Sequence, residues 1–67
     1  MIRYKMNICD ILKEAGYTSY SLHQQRKLSY STWAKLNTGE LVSLEAIGKI
    51  CHLLHKQPGD LIEFVNG

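Results

Sequence analysis

Residues 18–37 read "TSYSLHQQRKLSYSTWAKLN" and contain the same kind of helix start twice in quick succession. In each, a hydroxyl residue can accept from a first-turn amide, with apolar residues just before it and at the fourth helical position. The trios are Tyr17, Thr18 and Leu22, then Leu28, Ser29 and Trp33. Such trios mark a capped helix with a hydrophobic staple, which pairs an orphan amide and sets the angle of chain entry. A third trio, Val42, Ser43 and Ile47, repeats the pattern downstream.

Outward from this stretch, Asn7 can cap a helix over about residues 7–15, where Ile8, Ile11, Leu12 and Ala15 fall at helical spacing. Gly16 supplies its left-handed stop. Pro58 is a favourable first helical residue, because its missing amide hydrogen would be unpaired in any case, and it predicts a short helix to about Phe64. Alternating apolar and polar runs are absent apart from "MIRYK". The expectation is an all-α fold of five helices with short connections, one domain over residues 1–67.

Composition fits that size. A chain of 67 residues buries only about 60% of its unfolded surface, so its stability leans on good packing or on a partner. Hydrophobic content of 45% with 21% charged residues is ordinary for a globular domain. No apolar run approaches the roughly 18 residues of a membrane span, and "MIRYKMN" lacks the apolar stretch of a signal peptide. The expectation is a cytoplasmic protein with Cys9 and Cys51 reduced. A formal net charge of +2 permits nucleic-acid binding without arguing for it.

The second and third helices are separated by "RKLS", the spacing of a helix-turn-helix over about residues 18–37, whose second helix enters the DNA major groove by its N-terminal end. At about 100° per residue, Trp33 and Leu36 share an inward face to which the staple delivers Leu28. Ser31 and Lys35 point nearly the opposite way, with Ala34 beside them and Tyr30 and Thr32 on the flanks. Hydroxyls can bond base edges or phosphates, Ala34 allows close approach or contact with a thymine methyl, and Lys35 can reach guanine or phosphate. A solvated helix face of no special purpose would look much the same.

The order "TSYSLHQQRKLSYSTWAKLNTGE", then "VSLEAIGKICHLLHKQPGDLIEF", resembles the Cro and phage-repressor type, or XRE, helix-turn-helix family over nearly the whole chain. The likeness is carried by Thr18, Leu22, Leu28, Ser29, Ser31, Thr32, Leu36, Gly39, Leu44, Ile47, Ile50 and the "PGDL" of residues 58–61. It implies a five-helix bundle that binds operator DNA, commonly as a two-fold dimer, with a recognition helix over about residues 30–37. By position, Ser19 would approach phosphate or the first base pair. Tyr30, Ser31, Ala34 and Lys35 would face bases, and Ser29, Thr32 and Thr38 would lie near the backbone.

Four positions depart from the family pattern. His23 replaces a usual Ala and Trp33 a usual Val, Ile or Leu, which predicts added volume at the junction of the two helices. Lys27 stands where Gly commonly adopts a left-handed conformation. Glu40 occupies a loop where a basic residue often meets phosphate. Together with the low net charge, these features motivate an alternative: a protein-interaction module on the same fold, such as an antitoxin or antirepressor.

Cys51, His52 and His55 sit within one helical turn and invite a zinc proposal, to which only Cys9 or His23 could add. Against it, Cys51 falls on the apolar stripe of Leu44, Ile47, Ile50 and Leu54, where a small buried thiol needs no further role. No paired carboxylates or Gly-rich phosphate loop appear, so neither catalysis nor a metal, cofactor or small-molecule substrate is expected. Ile2, Tyr4, Leu61, Ile62, Phe64 and Val65 supply apolar surface that either closes the bundle or pairs two copies.

Overall fold

Side-chain caps open four of the helices in the computed structural model, which describes residues 1–66. They are Asn7 for α1 (Ile8–Glu14), Thr18 for α2 (Ser19–Gln24), Ser29 for α3 (Tyr30–Thr38) and Ser43 for α4 (Leu44–Leu54). At α2 the cap is reciprocal: the Ser21 amide donates to Thr18 Oγ1 at 3.0 Å, and the Thr18 amide donates to Ser21 Oγ at 2.9 Å. A one-turn α5 (Pro58–Leu61) starts on its proline as expected.

The same four helices share one way of stopping. After each, one residue turns left-handed while the amide beyond it reaches back to a carbonyl five residues earlier. The bonds are Tyr17 to Leu12, Lys27 to Leu22, Glu40 to Lys35 and Lys56 to Cys51, at 2.8–3.0 Å. Gly16 and Gly39 hold the left-handed position after α1 and α3, but Arg26 (φ 57°) and His55 (φ 54°) hold it after α2 and α4. The strained residue of the α2–α3 turn is therefore Arg26. Lys27 comes one place later, as the donor that closes the turn.

Ile8, Cys9 and Leu12 of α1, Leu22, Leu28, Leu36, Ile50 and Leu61 form the core, with Trp33 half-buried against it. The Cys9 thiol donates to the Trp33 carbonyl at 3.4 Å and ties α1 to α3. Leu44 departs from the expected stripe. It is the first residue of α4 and 83% exposed, and the buried side of that helix begins at Ile47.

The fold is not purely helical. β1 (Ile2–Tyr4) and β2 (Ile62–Phe64) form an antiparallel pair in the register Ile2↔Phe64, Arg3↔Glu63 and Tyr4↔Ile62. The last helix stops at Leu61, short of Phe64, because the following residues gain more as a strand. Ile62 and Phe64 suit a pleated surface, and the two chain segments satisfy each other's backbone groups. The Lys5 amide donates to Leu61 at 2.8 Å, the Val65 amide to Met1 at 2.8 Å, and the N-terminal ammonium to the Val65 carbonyl at 2.7 Å. Leu61 is wholly buried and closes the bundle, so it cannot belong to a surface that pairs two copies. Among the described residues no helix is long and apolar enough to cross a membrane.

Candidate functional site

The geometry of the α2–α3 corner follows from its anchors. Leu22, Leu28 and Leu36 are buried, so the opposite side of α3 is held outward. Ser31, Ala34 and Lys35 are exposed, as are Tyr30, Ser29 and Thr38 at the edges, whereas Thr32 is half-buried. Ser19 stands at the first position of α2, also half-buried. Tyr30, Ser31, Ala34 and Lys35 are thus all exposed, whereas Thr32 and Ser19 are only partly so.

Hydroxyls crowd the start of α3. Ser29 Oγ accepts from the Thr32 amide at 3.2 Å and lies 3.0 Å from Thr32 Oγ1 and 3.2 Å from Ser31 Oγ. This cluster keeps the first-turn donors oriented while leaving hydroxyl capacity toward solvent. Thr38 is placed differently. Its hydroxyl donates to the Ala34 and Lys35 carbonyls at 3.2 and 3.1 Å, so its proton is engaged and its free lone pairs can only accept. A phosphate would have to displace that bond to receive one from Thr38.

Tyr30 does not stand alone. Its ring stacks on His23, with centroids 4.1 Å apart and planes 18° from parallel. His23 is therefore on the surface and does not add bulk to the helix junction, which leaves Trp33 as the large residue there. Two flat side chains on either side of the turn are the sequence signal that could have revealed this pair. The stack restricts the Tyr30 ring at the leading end of α3.

The loop after α3 is fastened from the far end of the chain. The Glu40 amide donates to the Lys35 carbonyl at 2.8 Å, and the Tyr4 hydroxyl donates to the Glu40 carbonyl at 2.9 Å. Burial pushes the Tyr4 phenol above its ordinary value, opposed by the Val42 backbone. Lys35 carries an uncompensated charge: the single ion pair among the described residues is Arg3 with Glu63 at 2.8 Å, on the ribbon.

Burial raises the Cys9 thiol, with Lys13 lowering it and Asp10 raising it further, so the group is held as the neutral thiol. Cys9 and Cys51 are both free. His55 is the left-handed cap that ends α4, one place beyond its last helical residue, whereas Cys51 and His52 lie within the helix. Among the described residues no three His, Cys, Asp or Glu side chains converge on a possible metal position.

A family model described as the Cro/C1-type HTH DNA-binding domain matches residues 7–67. No curated protein and no solved structure matches the chain.

Proposed function

The chain belongs to the Cro/C1-type helix-turn-helix DNA-binding domain family, and from that premise we propose that it is a small transcriptional regulator that binds double-stranded DNA sequence-specifically. In this reading α3 lies in the major groove, with Tyr30, Ser31, Ala34 and Lys35 toward the bases and Ser19, Ser29 and Thr32 toward the sugar-phosphate backbone. Thr38 flanks the backbone as an acceptor for a bridging water, since its proton is engaged. The observation that carries the proposal is the outward face of α3: small, hydroxyl-bearing and singly charged, on a helix fixed by three buried leucines.

Selection from a random duplex pool at low salt, followed by mobility shifts with Tyr30→Ala, Ser31→Ala and Lys35→Ala, tests it. Lys35→Ala lowers the salt slope of binding by about one if it meets a phosphate, or relaxes one base position if it reads guanine. Binding unchanged in all three variants would sink the assignment.

The ribbon supports a homodimer. Ile2 and Phe64 face each other across the two strands and are 41% and 67% exposed, whereas Tyr4 and Ile62 are half-buried against the core and Val65 is half-buried just beyond β2. Two copies paired there would present their α3 helices about 34 Å apart, one turn of DNA. The rival reading, an antitoxin or antirepressor module, draws on Leu41 and Leu44, exposed on the connection into α4. Failure to select any duplex would favour it.

A further inference from the structure

Arg26 and Lys27 from the α2–α3 turn and Lys49 from α4 line one open cleft of about 460 Å³, and none of them is in an ion pair among the described residues. The lone acid on its wall is Glu45, so three positive charges face one negative. The cations come from two elements far apart in sequence, so the fold itself brings them together. Charges of one sign around a concave wall focus the field and concentrate counter-ions. The hydroxyls of Thr32 and Ser43 also reach this wall, and both belong to caps at the starts of α3 and α4. Ser29 and Thr32 border both this cleft and the outward face of α3, so the cleft opens beside the side chains assigned above to the sugar-phosphate backbone, while Arg26, Lys27 and Lys49 lie outside that set.

We propose that this cleft is a phosphate-binding site. Compact, strongly hydrated lysine ammonium groups and a forked guanidinium suit a multiply charged oxyanion, and hydroxyls on the same wall add neutral donors. Two sources present that chemistry: a backbone phosphate of the duplex beyond the stretch that α3 occupies, or the phosphate of a small free anion. The duplex source rests on the DNA-binding reading above, whereas the cleft's affinity for phosphate does not.

Inorganic pyrophosphate titrated into the full chain at low ionic strength, followed by amide NMR, is the test. The expected result is saturable shifts at Lys27, Thr32 and Lys49. Lys49→Gln, which keeps helix propensity, weakens binding about two- to fivefold, and Glu45→Gln tightens it by a similar factor. Opposite signs at two exposed positions of one helix cannot come from a general loss of structure. Unsaturable shifts, or affinity indifferent to both substitutions, would overturn the site.

A salt titration of duplex binding then assigns the source. A slope lowered by about one in Lys49→Gln, with pyrophosphate competing, identifies a backbone phosphate. An unchanged slope with saturable pyrophosphate binding retained identifies a free anion. Loss of the pyrophosphate response condemns the cleft whatever the α3 variants do, and loss of duplex binding condemns the other reading without touching the cleft.

Discussion

The α2–α3 corner and the terminal ribbon are built in opposite ways. In the corner, each structural decision is local: Thr18 bonds Ser21, Ser29 bonds Thr32, and Lys27 reaches back only to Leu22. In the ribbon, partners lie at opposite ends of the chain, with Ile2 against Phe64, Arg3 against Glu63 and Met1 against Val65. The corner spends its apolar residues inward and leaves a polar face free. The ribbon half-buries Tyr4 and Ile62 but leaves Ile2 and Phe64 in solvent. A helix pair specified locally can present a constant surface to a ligand, whereas a ribbon that leaves Ile2 and Phe64 in solvent beyond the edge of the core gains most when something covers them.

The largest effect that separates the two regions is the removal of a buried leucine. Leu36→Ala should cost about 2–5 kcal/mol in urea unfolding, enough to unfold much of so small a domain. Phe64→Ala, at an exposed position, should cost about 0.5 kcal/mol or less in dilute solution. Equal costs would erase the distinction. A Phe64→Ala cost that grows with protein concentration would instead sharpen it, by showing that a second copy covers the ribbon.

The next effect concerns the side-chain bond by which β1 reaches the loop that follows α3. Tyr4→Phe removes the hydrogen bond to the Glu40 carbonyl and should cost about 0.5–1.5 kcal/mol. It also has a pH signature. Because burial raises the folded-state value of the phenol above 10.0, its contribution is complete below that value and is lost as pH rises through the folded one. The stability gap between wild type and Tyr4→Phe should therefore narrow in alkaline urea titrations. A constant gap would mean that the phenol titrates alike in the folded and unfolded chain.

The smallest effect lies in the turn itself. Arg26→Gly relieves the left-handed strain but loosens the unfolded chain, for a net gain of about 0.5 kcal/mol, and His55→Gly should behave alike. Lys27→Gly should gain nothing of the kind, since Lys27 does not occupy the left-handed position. A Lys27→Gly stabilisation larger than that of Arg26→Gly would contradict the turn geometry.

These differences explain what could be read from the residues alone. Caps at Asn7, Thr18, Ser29 and Ser43 are short-range and survive in the structure, as do the inward Leu28 and Leu36. Arg26, one place before the position that the family pattern marks for glycine, is the left-handed residue, because the bond from the Lys27 amide to the Leu22 carbonyl closes the turn there. Of the ribbon only the alternation of "MIRYK" was legible, because a strand of three residues carries almost no periodicity and β2 lies nearly the whole chain away. Opposed charges at Arg3 and Glu63 within matching apolar flanks were the faint signal. The His23–Tyr30 stack and the cationic cleft join side chains across a turn, which no single-helix projection reveals.

Amide chemical-shift mapping of the full chain with a duplex from the pool selection tests the central claim most directly. The largest changes should fall on residues 29–35 with a second group at Ser19, while residues 2–4 and 62–65 move little at a fixed oligomeric state. Changes concentrated on the ribbon or on Leu41 and Leu44, with α3 undisturbed, would contradict it.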